Sequence, residues 1–195
     1  MDQPSDLQLI NQALQGESRA FDLLVLRYQD RLVHSLEHAL CPREEALDAA
    51  QTAFLQAWTR LSTFRGESSF YAWLYRIARN AAITRRRRTS PAGSLNQLRE
   101  DSGFEPADSP EHSAPDLPLQ QNEEVARVHH ALNSLSEEFR QPIVLREIDG
   151  LSYEEIGKIL DIPLGTVRSR IFRARQELLE RLERLEKDRQ TKPTT

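Results

Sequence analysis

The chain has 195 residues, 38% of them hydrophobic, and a formal net charge of −4, which suits one or two small domains rather than one large core. Its single cysteine, Cys41, excludes a disulfide framework and a cysteine-based zinc site, and no apolar run approaches the ~18 residues of a spanning helix. The first eighteen residues are polar and lack the basic start and apolar middle of a signal peptide, so a cytoplasmic location is expected.

Residues 1–88 read as a helical domain. Leu7, Ile10 and Leu14 mark a short first helix, with Gly16 suited to its C′ position. Ser18 is the expected N-cap of a second helix, on which Phe21, Leu24, Val25, Tyr28, Leu32 and Leu36 recur at three- and four-residue steps. A break at Cys41-Pro42 precedes a third helix running to about Leu61. Leu47, Ala50, Phe54, Trp58 and Leu61 mark its expected buried stripe. After "FRGESS" a fourth helix places Phe70, Leu74, Ile77 and Ala81 inward.

Residues 89–122 differ. Five of the ten prolines (Pro91, Pro106, Pro110, Pro115, Pro118) lie there among serines and acids. Such a composition buries too little surface to offset the entropy of ordering, so a flexible acidic linker is expected. Helical patterning resumes over 123–188, leaving 189–195 as a tail. The expected fold is all-α: two small helical domains joined by a flexible linker, the second containing a helix-turn-helix.

Charge follows the same division. Residues 1–90 carry 12 basic and 10 acidic side chains, 91–124 carry 1 and 8, and 125–195 carry 13 and 12. The acidity belongs to the middle, while residues 60–88 hold eight arginines against the single acid Glu67. Two basic patches on an acidic chain suggest two polyanion contacts. Solvated helix faces are the plainer reading of a charge run, although those normally mix signs.

"LSYEEIGKILDIPLGTVRSRIFRARQEL" (151–178) is the most specific signal. Ser152 and Glu155 form the S-x-x-E capping box, and Leu151 and Ile156 stand where a hydrophobic staple closes. Gly150 suits the end of a preceding helix carrying Ile143, Val144 and Ile148, in which Pro142 marks a tightened turn or a kink. "DIP" makes the turn, and Pro163 is well placed near N1 of the next helix. This is the layout that reads DNA. On the second helix Val167, Ile171, Ala174 and Leu178 share a narrow arc, leaving Arg168, Ser169, Arg170, Phe172, Arg173 and Arg175 around the rest. An arginine fork pairs with guanine O6 and N7, and Phe172 suits a thymine methyl; one good bidentate contact discriminates by roughly 1–3 kcal/mol. The competing reading pairs these arginines with acids of the adjoining helix.

In "FRGESSFYAWLYRIARNAAITRRRR" (64–88), Tyr71, Trp73, Tyr75, Arg76, Arg79 and Asn80 remain once the core stripe is assigned. Aromatics interleaved with arginines suit unpaired bases. The alternative is that Trp73 and one tyrosine are simply buried. Arg85–Arg88 add phosphate affinity, or a localisation signal. No P-loop, H-E-x-x-H or G-x-S-x-G is present, Cys41 has no activating context, and His129 and His130, being adjacent, point apart. No enzymatic chemistry, cofactor or metal is expected.

"AFDLLVLRYQDRL", "DAAQTAFLQAWTRL", "FRGESSFYAWLYRIARN", a linker and the helix-turn-helix, in that order over about residues 5–180, resemble an extracytoplasmic-function (ECF) RNA polymerase sigma factor. The likeness is to the sigma-E branch that serves envelope stress. It implies binding to core RNA polymerase and to promoter DNA, with Asp48, Gln51 and Leu55 on the polymerase-docking face. It implies −10 recognition over residues 62–80, by Phe64, Trp73, Tyr75, Arg76, Arg79 and Asn80, with Phe64 and Asn80 in the part that captures an extruded base. It assigns −35 reading to Arg168, Ser169, Arg170, Phe172 and Arg173, threads the acidic linker toward the RNA exit path, and implies an anti-sigma partner. Thr52 stands where the family usually carries an acid, which affects one polymerase contact. The rival readings are a dimeric helix-turn-helix regulator, supported by the seven-residue recurrence of Ile171, Leu178 and Leu185, and a recombinase-like enzyme, for which no nucleophile is found.

Overall fold

The computed structural model describes the backbone of residues 3–89 and 119–191 and the side chains of 3–88 and 125–187. The described residues form helices and no strand: α1 (Asp6–Leu14), α2 (Ser18–Ala39), α3 (Arg43–Thr59), a 3-10 turn (Leu61–Thr63), α4 (Phe70–Thr89), α5 (Leu119–Asn133), α6 (Glu137–Glu147), α7 (Tyr153–Leu160) and α8 (Leu164–Thr191). Of the linker expected at 89–122, Thr89 closes α4 and residues 119–122 open α5; residues 90–118 lie outside the described residues. The tail expected from 189 begins inside α8, and its last four residues lie outside them.

The first unit packs α1 and α3 against the long α2, with α4 laid on α3. α1 starts at a capping box in which Ser5 Oγ accepts from the Gln8 amide and Gln8 Oε1 accepts from the Ser5 amide. It ends at Gln15, and Gly16 takes the positive φ (101°) that releases the chain into α2. Ser18 is the first helical residue of α2 rather than its cap. Glu17 holds the cap position and makes no side-chain capping bond. Leu24, Leu32 and Leu36 are fully buried on α2, each burial stabilising by about 1.5–3 kcal/mol.

α3 departs from its expected stripe. Ala46, Ala49, Ala50, Ala53, Phe54 and Ala57 face inward, while Leu47 and Trp58 are exposed. Small side chains recurring every three or four residues let α3 lie close to both α2 and α4, so space at the contact, rather than residue size, selects the face. Trp58 still covers Phe21 from outside, with ring centroids 5.0 Å apart.

The second unit gathers α5, α6 and α7 around the first half of α8. Its core holds Ile143, Val144, Leu145, Leu151, Ile156, Ile159, Val167, Ile171 and Ala174. Ile148, expected inside, is exposed, because α6 ends at Glu147 and the Val144 carbonyl accepts from the amides of both Ile148 and Asp149. Pro142 sits buried at the middle of α6, where the bond it forgoes is to the Glu138 carbonyl. Ile171 belongs to the unit's own core and Leu178 packs against it. The seam expected for a dimeric coiled coil is thus used within the chain. The units also meet each other, α2 against α5 and α6 and α4 against α7.

Candidate nucleic-acid interface

The helix-turn-helix forms as the capping chemistry requires. Ser152 Oγ accepts from the Glu155 amide at 3.2 Å, and Glu155 Oε2 accepts from the Ser152 amide at 3.1 Å. Leu151 and Ile156 are buried beside it. α7 ends at Asp161, which takes the left-handed conformation (φ 56°), and the Ile162 amide returns to the Gly157 carbonyl. Pro163 immediately precedes α8, one position before the N1 site expected for it, and its carbonyl accepts from Thr166 and Val167. This compact turn presents the first two turns of α8 outward.

The arginines of α8 divide into two kinds. Arg170 pairs with Glu138 at 3.0 Å and Arg175 with Glu147 at 2.6 Å; the Glu147 carboxylate raises the Arg175 pKa. For these two the adjoining-helix reading holds. Arg168 and Arg173 are exposed and have no acidic partner among the described residues. Phe172 beside them is 60% exposed. Ser169 donates its hydroxyl to the Thr166 carbonyl, which leaves its oxygen lone pairs facing outward.

The α4 face is narrower than the sequence suggests. Phe64 and Trp73 are half-buried, with ring centroids 5.4 Å apart, and both lean on Phe70. Arg76 and Asn80 are exposed. Tyr75, expected on the stacking surface, is 0% exposed, and Tyr71 is buried with it. Arg79 donates Nε to Gln141 Oε1 at 2.9 Å, a residue of the second unit. On α3, Gln51 is exposed and Leu55 is 66% exposed. Leu47, Gln51 and Leu55 recur every four residues and so form one outward ridge. Asp48 beside it pairs with Arg85 of α4.

A cluster that the sequence did not signal lies between the units. Asp149, in the loop before α7, has a fully buried side chain. Oδ2 accepts from Ser35 at 2.5 Å, and Oδ1 accepts from Tyr71 at 2.8 Å and from Arg31 Nε at 3.4 Å. The Asp149 carbonyl accepts from Arg31 Nη2 at 2.6 Å, and the Arg31 guanidinium lies over the Tyr71 ring, 3.8 Å from its centroid. Burial raises the Asp149 pKa against the opposing pull of Ser35, Tyr71 and Arg31. Burial followed by the Asp149 charge raises those of Tyr71 and Tyr75. The Tyr75 hydroxyl is buried with no hydrogen-bond partner among the described residues. Four further contacts join the units. Glu155 Oε1 accepts from the Ser69 amide and hydroxyl (3.0 and 2.6 Å), Lys158 donates to the Glu67 carbonyl, and Arg86 pairs with Glu137. Burial opposes ionisation of Glu155, but the Ser69 and Ser152 bonds prevail and hold its pKa below the usual range.

Family models match each unit: sigma-70 region 2 over residues 24–91 and sigma-70 region 4 over residues 126–178. The RNA polymerase sigma-H factor of Pseudomonas aeruginosa is 40% identical over 188 residues, covering 94% of this chain and 96% of its own. The ECF RNA polymerase sigma-E factor of Escherichia coli K12 is 41% identical over 181 residues, covering 91% and 94%. The chain belongs to the extracytoplasmic-function sigma factors. Solved relatives share the fold. CnrH in complex with the cytosolic domain of CnrY aligns at TM-score 0.63 and 29% identity over 90% of this chain and 95% of its own. The sigma factor RpoE in complex with the anti-sigma factor NepR from Bartonella quintana aligns at 0.60 and 28%, over 84% and 96%.

Burial pushes the Cys41 thiol up to about 12, so it stays protonated and inert at neutral pH. Among the described residues no three His, Cys, Asp or Glu side chains are placed to hold a metal, and no helix is long and apolar enough to cross a membrane.

Proposed function

We propose that this sigma factor confers initiation specificity on core RNA polymerase by docking through α3 and reading two promoter elements, one with each helical unit. The observation that carries this reading is α8: a capped helix-turn-helix presents Arg168, Arg173 and Phe172 to solvent, with Ser169 and Arg170 between them. Arg168 and Arg173 are ready to contact bases. Arg170 must first exchange Glu138 for DNA, so its contribution is smaller. These residues read the −35 element in the major groove.

Phe64, Trp73, Arg76 and Asn80 make the −10 surface, with Phe64 and Asn80 flanking the place of an extruded base; extrusion costs a few kcal/mol, which stacking and hydrogen bonds in a pocket offset. Arg79 joins once Gln141 is displaced. Tyr75 supports this surface from beneath. The ridge of Gln51 and Leu55 with Asp48 docks on polymerase, and the leucines supply most of the energy because the Asp48–Arg85 pair is exposed. Thr52, exposed on the same helix, adds no charge there. Two modest DNA contacts joined through one scaffold gain by effective concentration. An anti-sigma protein is the expected negative regulator.

Run-off transcription with core polymerase tests this. Specific initiation depends on adding the protein, and Arg168→Ala and Arg173→Ala weaken it on promoters that rely on the upstream element. Transcription indifferent to the protein overturns the reading.

A further inference from the structure

Three of the chain's five histidines meet where α2 and α5 pack together, and neither promoter reading nor polymerase docking employs them. His34 and His38 stand four residues apart on α2, the spacing that puts two imidazoles on one helix face. Their rings stack with centroids 6.5 Å apart. His129 of α5 meets the His38 ring edge-on, 4.3 Å between centroids. His34 is exposed, and His38 and His129 are half-buried.

The two half-buried rings ride on anchored backbone. His38 is flanked by the buried Leu36, Ala39 and Leu40, and His129 precedes Ala131 and Leu132, which are buried as well. Ring packing alone is a poor account of the cluster. Phenylalanine or leucine would supply more apolar area at the same joint, and two imidazolium charges this close repel each other. Neutral imidazoles in a group are what a metal requires of its ligands. A metal–nitrogen bond of ~2.0–2.1 Å puts each ring centroid about 3.2 Å from the ion, so two ligating rings stand roughly 4.5–5.2 Å apart. His38 and His129 are within a few tenths of an ångström of that separation. His34 lies farther out, and no three ligands among the described residues converge as they stand. Being exposed, the His34 ring is free to turn between staggered positions. Each imidazole has two nitrogens, so one ligates while the other holds the ring's orientation.

We propose that His38 and His129 form a binding site for a divalent transition-metal ion of the zinc, nickel or copper type, with His34 turning in as a third ligand and water completing the shell. Imidazole suits these ions; magnesium and calcium take oxygen ligands instead. The ion joins α2 to α5, elements far apart in the sequence, so its binding adds to the stability of the folded chain. The site goes beyond the promoter-reading function and does not depend on it.

The test uses the full chain without an affinity tag, titrated with Zn²⁺ by isothermal calorimetry in a non-chelating buffer, with Mg²⁺ as the control. One Zn²⁺ per chain is expected to bind, and Mg²⁺ is not. His38→Gln and His129→Gln keep a polar side chain in place. Each is expected to lower the affinity at least about tenfold, the least that loss of even an outer-shell partner costs. His34→Gln is expected to lower it less. His130→Gln, at the exposed neighbour of His129, leaves it unchanged. Zn²⁺ at about a hundredfold above its wild-type Kd raises the thermal midpoint by about 5 °C or more, a shift that His38→Gln and His129→Gln abolish. Proton NMR of the wild type needs no variant to fold: Zn²⁺ moves the imidazole signals of His38 and His129 and leaves that of His130 in place. Affinity is expected to fall as pH drops through about 6.5, where imidazole takes up a proton, whereas a carboxylate site would hold its ion to lower pH. Absence of saturable Zn²⁺ binding, full affinity in His38→Gln and His129→Gln, or an equal loss in His130→Gln overturns the site.

Discussion

Glu155 has two jobs that a single substitution can separate. It completes the capping box of α7 and it clasps Ser69 of the other unit. Ser152→Ala removes one capping acceptor, at 3.2 Å from the Glu155 amide, and is expected to cost about 1 kcal/mol. Glu155→Ala removes the return bond to the Ser152 amide and both bonds from Ser69. Bonds to a charged acceptor contribute ~1.5–3 kcal/mol when dry, but Glu155 is only partly buried; screening reduces its total to about 2 kcal/mol. The two tryptophans, Trp58 and Trp73, both lie in the first unit, so their fluorescence in a urea titration reports that unit alone, while far-ultraviolet circular dichroism reports both. Glu155→Ala, though it lies in α7, is expected to lower the fluorescence midpoint by ~0.5–1 M urea. Ser69→Ala also loses the bond from the Ala72 amide, so the clasp itself is isolated by a double-mutant cycle, with an expected coupling of about 0.5–1 kcal/mol. The sign with pH follows from the lowered pKa of Glu155: its contribution is present above the ordinary glutamate value of about 4.3 and fades as pH falls through the lower folded value. A fluorescence midpoint unmoved by Glu155→Ala, or a coupling of zero, refutes the clasp.

Three further outcomes are expected. Arg168→Ala and Arg173→Ala each weaken binding to a −35 duplex by ~5- to 150-fold, the equivalent of 1–3 kcal/mol, whereas Arg175→Ala, already tied to Glu147, changes it by less than about threefold; anisotropy at one fixed salt concentration decides, and equal losses at all three positions count against the division. Leu55→Glu is expected to reduce core-polymerase binding at least about tenfold with an unchanged thermal midpoint, since Leu55 is 66% exposed; a protein that still competes normally for core shows that the ridge is not the docking face. Gly157→Val is expected to destabilise the second unit by about 1–3 kcal/mol, because a Cβ there already stands 3.1 Å from the Ile162 carbonyl and 3.7 Å from Val167; a neutral result in denaturant shows that the turn relaxes.

Much of the fold was legible because it rests on local rules. The capping box at Ser152–Glu155, the release at Gly16 and the leucine stripe of α2 are each written within a few consecutive residues, and each formed as read. What failed was selection among apolar residues by size. Leu47, Trp58 and Ile148 are exposed, while alanines of α3 are buried, because close helix approach favours small side chains and helix ends turn large ones outward. The site divides the same way. Arg168 and Arg173 stand exposed as a helical projection suggests, but only the fold reveals that Arg170 and Arg175 meet acids from α6. Asp149 carried no signal: "DG" before a capped helix is ordinary turn chemistry, and its partners lie 78 to 118 residues away.

The distribution of side chains separates what the fold buries from what it leaves for a partner. Between the units lie the carboxylates of Asp149, Glu155 and Glu137, the Tyr71 hydroxyl and the side chains of Gln141, Arg31, Arg79 and Arg86, beside apolar contact, since buried side chains of both units form one continuous core. In the first unit, Leu23, Leu26, Leu47 and Leu55 are left exposed, where they gain only if a partner covers them. Each such leucine is worth about 1.5–3 kcal/mol when fully buried, so a partner that covers two or three of them offsets much of the cost of association. A partner is therefore expected to engage the first unit through exposed leucines such as Leu47 and Leu55 rather than through the buried contacts between the units. A protein that covers Leu47 and Leu55 is expected to compete with core polymerase for that ridge, and the same surface would then serve repression.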